Sequence, residues 1–246
     1  MRAMILAAGL GTRLRPLTDD RPKALVEIAG RTLLEITLSR FRAFGVREVI
    51  INVHHFADMI VEYLKTNHDF GMCIEISREE ILLDTGGGLK KAAWFFLDDS
   101  SRSEEPFVLH NVDVLSTIDL QRMAQVHAHN QALATLAVQE RQASRYLLFN
   151  KQLELSGRCS PEKTELVCPA PRPHALGFCG IHVISPRIFE LMDEDGAFSI
   201  VSSYLRLAAQ GERIVAFRAE EYYWRDLGRP DSVLEATQDL KQKVFL

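Results

Sequence analysis

No two of the four cysteines, Cys73, Cys159, Cys168 and Cys179, form a C-x-x-C pair. The ligand spacing of a structural zinc site is therefore missing, and reduced thiols are expected. No stretch approaches the roughly 20 apolar residues that cross a bilayer. The N-terminal run from Met1 to Ala8 is too short for a signal peptide and ends in glycine. Neither a membrane span nor export is expected, so the cytoplasm is the expected location. Long basic tracts are also lacking: 29 Lys and Arg stand against 33 Asp and Glu, a net charge of −4. That balance argues against a nucleic-acid partner, and a phosphorylated ligand would have to be met by a local basic cluster. No repeat of the kind that builds solenoids recurs.

Two nucleotide motifs are absent too. The Walker string G-x-x-x-x-G-K-[ST] does not occur, and the dinucleotide fingerprint G-x-G-x-x-G is half matched, with Gly9 and Gly11 in place but Leu14 at the third position.

What remains is 246 residues, 47% apolar and 25% charged, enough for one sizeable folded unit. The first half alternates β and α patterns. Ala3 to Leu6, Val49 to Val53, Cys73 to Ser77, Phe107 to Leu109 and Leu133 to Val138 read as strands. Thr32 to Phe44, Asp58 to Lys65, Leu89 to Leu97 and Asp119 to Asn130 read as helices, the first stopped by Gly45. Repeated β-then-α units predict a Rossmann-like α/β fold, a mainly parallel but mixed sheet with helices on both faces. In the second half, Tyr146 to Phe149 and Gln152 to Leu155 suggest a hairpin. Residues 157–174, with four prolines and two cysteines, read as an irregular surface insertion. Strands are expected at Ala175 to Ile184 and Ile214 to Phe217. Helices are expected after Ser185-Pro186, at Ser199 to Ala209 and at Pro230 to Leu240. No linker divides the chain, so a single domain over 1–246 is expected.

The stretch Ala7-Ala8-Gly9-Leu10-Gly11-Thr12-Arg13-Leu14-Arg15-Pro16 follows the first strand. Glycines there let backbone N–H groups approach a ligand at the carboxyl edge of a parallel strand. Arg13, Arg15 and then Lys23 add positive charge suited to a triphosphate. Leu83-Asp84-Thr85-Gly86-Gly87-Gly88 is a second glycine segment, fit for close approach by a flat ligand. His110-Asn111-Val112-Asp113 ends a buried strand with an acidic side chain well placed for a cation. Trp224-Arg225-Asp226-Leu227-Gly228 repeats that theme late in the chain.

Gly9 to Pro16 followed by Pro22-Lys23-Ala24-Leu25 resembles the signature of the sugar-1-phosphate nucleotidyltransferases, the nucleotide-sugar pyrophosphorylase family. The resemblance reaches from Met1 to about Gln238. It implies a nucleotide-diphospho-sugar transferase fold, with residues 1–140 mainly binding nucleotide, 141–228 binding sugar, and 229–246 forming a C-terminal helix. It implies an enzyme that joins an NTP to a sugar-1-phosphate and releases pyrophosphate, with Mg²⁺ as cofactor. Carried over residue by residue, Arg13 and Lys23 would contact phosphate oxygens. Ala7, Ala8, Gly9, Gly11, Thr12, Asp84, Gly86, Gly87 and Asn111 would line the nucleotide. Asp113 and Asp226 would hold the metal, and Arg13, Lys23 and Asp113 would carry catalysis.

Gly177-Phe178-Cys179-Gly180-Ile181 resembles the family strand that lines the sugar, which makes Gly180 a sugar-site candidate. Glu154 is a candidate for a sugar hydroxyl, and Lys163 for the sugar phosphate. Two positions depart from the pattern: Val112 replaces a glycine and Cys179 a serine. Nothing after the last helix matches the left-handed β-helix of some relatives. The compact length, Thr85-Gly86-Gly87-Gly88 and the Phe178-Cys179-Gly180-Ile181 strand most resemble the short branch, which includes uridylyltransferases for N-acetylmuramate-1-phosphate and enzymes for mannose- or heptose-1-phosphate. UTP is the expected nucleotide, with GTP next. The alternatives are a non-catalytic nucleotide-sugar sensor or assembly subunit on the same fold, and an NAD(P)-dependent oxidoreductase. His54, His55, His127 and His129 read as structural or surface residues.

Overall fold

The computed structural model describes residues 1–98 and 104–241. β1 (Ala3–Leu6) runs into the glycine loop. A short hairpin of β2 (Glu27–Ile28) and β3 (Arg31–Thr32) leads to α1 (Leu33–Ala43). β4 (Glu48–Val53), α2 (Ala57–Thr66) and β5 (Cys73–Arg78) follow, then two consecutive helices, α3 (Asp84–Lys91) and α4 (Ala93–Leu97). β6 (Phe107–Asn111) and β7 (Val114–Ser116) flank the turn at Asp113, and α5 (Leu120–Asn130) precedes β8 (Ala134–Gln139). The rest comprises β9 (Tyr146–Phe149), β10 (Leu155–Cys159), β11 (Thr164–Leu166), β12 (His174–Ile184), α6 (Ile188–Leu191), α7 (Ile200–Ala209), β13 (Ile214–Arg218), β14 (Trp224–Asp226) and α8 (Pro230–Lys241).

β1 lies between β6 and β4, parallel to both, and β5 extends the sheet parallel to β4. β12 joins β6 antiparallel and then forks. Its first residues, His174 to Leu176, pair with β9, while its later residues pair with β8. β13 lies parallel to β8, and β10 and β11 continue outward from β9. This is the expected mixed sheet with a mainly parallel centre. The strands alternate between two cores. Ala3 and Ile5 of β1 join α1, α2, α5 and α8 on one face. Met4 joins α3, α4, α6 and α7 on the other. Successive side chains of a strand point to opposite faces, so one apolar run serves both layers.

Local chemistry sets the helix ends. The Thr32 hydroxyl accepts from Glu35 N at 3.0 Å and caps α1, a contact worth about 1 kcal/mol. Asp119 caps α5 through Gln121 N and Arg122 N at 2.9 and 3.0 Å.

Two expectations are corrected. The helix expected from Leu89 starts at Asp84, so the triple glycine lies inside it. A Cβ at Gly86 would lie 2.3 Å from the Phe198 ring, and one at Gly87 would lie 2.2 Å from the Gly196 carbonyl oxygen. Close packing against the 196–198 loop offsets the poor helix propensity of glycine. Residues 157–174 are not irregular throughout. β10 and β11 form an antiparallel hairpin, and the Cys168 thiol donates to Ala208 O at 3.2 Å. Proline and cysteine content concealed strands that exist only because β9 offers an edge to pair with.

The buried histidines make stability pH-dependent. Burial pushes His182 down to about 3 and His127 down to about 4. Both fall below the ordinary value of 6.5, so the folded state binds fewer protons than the unfolded chain. Their stabilising contribution is complete above 6.5 and is lost as pH falls towards those values. The thermal midpoint is expected to drop between pH 6.5 and 4.5, before carboxylates titrate. A flat midpoint over that range would show that His182 is not held neutral by the core.

Candidate active site

The site opens at the carboxyl ends of β1, β4 and β6. Asn52, the penultimate residue of β4, accepts from Ala7 N at 2.8 Å and donates to Glu79 Oε1 at 2.7 Å. Glu79 Oε2 accepts from Leu83 N at 3.0 Å. This buried polar chain ties the start of the glycine loop to the loop before α3. Between them lies a cavity of about 410 Å³. Ala7, Ala8, Gly9, Lys23, Asp84, Asn111 and Asp113 all line it, as do Asn52 and Thr85. Within it the Lys23 ammonium pairs with the Asp113 carboxylate, both side chains largely buried.

A second cavity of about 710 Å³ shares Asn111 with the first and is lined by Arg13, Gly180 and Asp226. The β7–β14 ribbon brings the two aspartates together across 113 positions of sequence. Val114 is opposite Asp226, and Leu227 N donates to Asp113 O at 2.8 Å. Asp226 Oδ1 accepts from Gly228 N at 3.0 Å. A Cβ at Gly228 would lie 2.7 Å from that oxygen and 3.0 Å from an Arg13 nitrogen, so the two charged groups converge over this glycine. Gly180, at φ +71°, sits against Asn111, where a Cβ would come within 2.8 Å of Nδ2. It falls where the register of β12 against β8 shifts, between Phe178 and His182, and such an irregularity bends a strand at a site.

The nucleotidyl transferase family model matches residues 2–150. This chain belongs to the nucleotidyl transferase family. It is similar to the N-acetylmuramate alpha-1-phosphate uridylyltransferase of Caulobacter vibrioides, with 33% identity over 98% of this chain and 97% of that protein. It is 31% identical to the mannose-1-phosphate guanyltransferase of Yarrowia lipolytica over 96% of this chain, spanning 63% of that longer protein. Among solved structures, HddC from Yersinia pseudotuberculosis complexed with GMP-PN shares the fold. The TM-score is 0.76 at 21% identity, covering 97% of this chain and 99% of that one.

The remaining expected residues of this nucleotidyltransferase are more dispersed. Gly11 and Thr12 lie on the loop beyond both cavity linings, and the Gly11 carbonyl accepts from the Thr18 hydroxyl at 2.8 Å. Gly86 and Gly87 are buried against the 196–198 loop, so the space beside them holds protein. Glu154 lines neither cavity; it is held by Asn150 at 3.1 Å and Arg213 at 3.3 Å. Lys163 lies on the β10–β11 hairpin, away from both aspartates, in a separate groove.

Four supports were not foreseen. Asn52 and Glu79 carry the floor of the first cavity; a buried Asn ending an apolar strand, as Asn111 does, was the available signal. Arg40 of α1 donates to Ser116 Oγ and Ile118 O at 2.7 and 2.6 Å, clamping the segment behind Asp113. Burial lowers its pKa to about 10. Arg141 stacks 3.9 Å over Trp224 and donates to Phe178 O at 2.7 Å, while Trp224 Nε1 donates to Cys179 O. The two departures from the family pattern are buried side chains in the cavity walls, Val112 in the first and Cys179 in the second. Val112 is 3% exposed, and the Cys179 thiol is fully buried, with its pKa pushed up to about 12 by burial. Neither position offers a nucleophile. Burial, with Arg40 behind it, pushes His110 down to about 3, so it stays neutral.

Among the described residues no helix is long and apolar enough to cross a membrane.

Proposed function

We propose that this nucleotidyltransferase moves a nucleoside monophosphate from an NTP, UTP first and GTP next, onto a sugar-1-phosphate, giving an NDP-sugar and pyrophosphate. The observation that carries the reading is the convergence of Asp113, Asp226, Lys23 and Arg13 where two cavities meet at Asn111. We assign the first cavity to the nucleotide, with Ala7, Ala8, Gly9, Asp84 and Asn111 against it. We assign the second to the sugar phosphate, with Gly180 in its wall. UTP is placed first because the Caulobacter vibrioides protein, similar along its whole length, is named a uridylyltransferase.

The donor set fits Mg²⁺. Two carboxylates, one on the β6–β7 turn and one at the end of β14, are hard oxygen ligands that leave further positions for phosphate oxygens and water. The Lys23 ammonium already rests on Asp113 as a cation would. Asp113 and Asp226 would hold the ion, and when bound it would supply charge neutralisation and a template for the phosphates.

The residues themselves do the rest. An oxygen of the sugar-1-phosphate attacks the α-phosphorus, the bond to the β-phosphate breaks, and pyrophosphate leaves with that electron pair. The nucleophile is already ionised at neutral pH, so no general base is needed. Lys23 neutralises the α- or β-phosphate, and Arg13 stabilises charge on the leaving group. Charge neutralisation and alignment suffice for such a transfer.

Pyrophosphate release tests this, with Mg²⁺ and each of UTP, GTP, CTP, dTTP and ATP against a panel of sugar-1-phosphates. Release that requires both an NTP and a sugar phosphate is expected, fastest with UTP. A folded protein that binds NTP but releases nothing with any sugar would favour the non-catalytic alternative.

A further inference from the structure

A third cavity, of about 490 Å³, adjoins the one that holds Asp226. Arg145 and Phe178 line both, so they stand at the boundary. Its other walls are the start of β9, the β10–β11 hairpin and the first turn of α7. Three basic side chains, Arg145, Arg158 and Lys163, line it against the carboxylates of Glu162 and Glu165. Part of that charge is already matched. Arg158 pairs with Glu165 at 2.9 Å, and Glu162 accepts from the Ser160 hydroxyl at 2.7 Å. Among the described residues, the Arg145 guanidinium and the Lys163 ammonium make no hydrogen bond or ion pair, although both line the third cavity.

The 1-phosphate cannot be what these two cations serve. It must react beside Asp113, Asp226, Arg13 and Lys23, and neither aspartate lines the third cavity. Glu162, on the same wall, is an electrostatic neighbour of Arg145 but is exposed and already bonded to Ser160, so a neutral sugar extending past Phe178 would leave Arg145 and Lys163 without a bound anion. A planar guanidinium presents paired donors that match a carboxylate or phosphate.

Building on the function proposed above, we propose that the third cavity receives a second anionic group on the sugar. The preferred acceptors would then be sugar-1-phosphates that also carry a carboxylate or another phosphate, with Arg145 and Lys163 as the selecting residues. The acceptor enters with its 1-phosphate at the aspartates and its second anion beyond Phe178.

The test compares pairs of acceptors in pyrophosphate release with UTP and in calorimetric binding to the intact protein. Glucuronate-1-phosphate and N-acetylmuramate-1-phosphate supply the carboxylate, and glucose-1,6-bisphosphate the second phosphate. Glucose-1-phosphate and N-acetylglucosamine-1-phosphate are the neutral controls. At least one anionic acceptor is expected to exceed its neutral control about tenfold in kcat/KM, through KM. Arg145→Ala should cut that ratio about tenfold, and Lys163→Ala should cut it in the same direction. Whether the carboxylated or the bisphosphorylated sugar shows the preference identifies the anion. Equal use of neutral and anionic acceptors, or a ratio unmoved in both variants, overturns the inference. Charge-selective binding without pyrophosphate release would uphold it while removing the function proposed above. Arg145 and Lys163 are exposed, so both variants should fold, and circular dichroism checks that they do.

Discussion

Asp113→Ala is expected to lower kcat by about 10³-fold or more, beyond the 10–100-fold loss typical when a group behind a metal ligand is removed. Asp113 stands where the β6–β7 turn meets β14, its backbone carbonyl bonded to Leu227 N at 2.8 Å. That bond survives the substitution, so the ribbon that aligns Asp226 is retained. The carboxylate does not survive, and the Lys23 side chain, only 14% exposed, loses its counter-charge. A stranded, partly buried cation costs about 1–3 kcal/mol, which a lower thermal midpoint would register. Lys23→Met on the Asp113→Ala background should recover part of that midpoint and none of the activity. The two readouts thus separate the structural ion pair from the reaction. An Asp113→Ala enzyme that turns over near the wild-type rate would remove the metal assignment.

Arg13→Ala is expected to lower kcat by about 10²–10³-fold, the usual loss on deleting one preorganised contact to developing charge. Arg13 is exposed on the glycine loop and reaches over Gly228 towards Asp226. Its removal leaves no core cavity, so the thermal midpoint should hold. KM for the sugar phosphate should change little, because the contact matters most when pyrophosphate departs. A defect confined to sugar KM would place Arg13 on the acceptor instead. Gly228→Ala provides a geometric companion. Its Cβ would enter the space shared by Asp226 and Arg13, so it should impair the same step without deleting either charge.

Part of the candidate site's geometry is legible in the sequence. Gly9, Lys23, Asp84, Asn111 and Asp113 each belong to a short string that stands out locally. They do line one cavity. In the sequence Gly86 and Gly87 suggest room for a ligand, since a glycine run looks the same whether base or backbone fills the space beside it. Here the Phe198 ring and the Gly196 carbonyl fill it. Glu154 was a candidate on residue type alone, and type could not reveal that Asn150 and Arg213 engage it. Asn52 offers one local signal, an amide at the end of an apolar strand, but its buried bond to Glu79 joins residues 27 apart, a separation at which local pattern carries no information.

The sequence by itself determined the family, the alternating β and α order, and the two aspartates as candidates. These depend on neighbours a few residues apart, where side-chain spacing and turn chemistry act directly. Only the tertiary structure decided that Asp113 and Asp226 meet, because the β7–β14 ladder pairs strands far apart in the chain. It likewise placed the β10–β11 hairpin within the apparent loop of residues 157–174, since a strand needs a partner before its backbone hydrogen bonds can form. The gathering of basic side chains on both sides of Phe178, in a chain of net negative charge, is a property of folded space and has no counterpart in the order of residues.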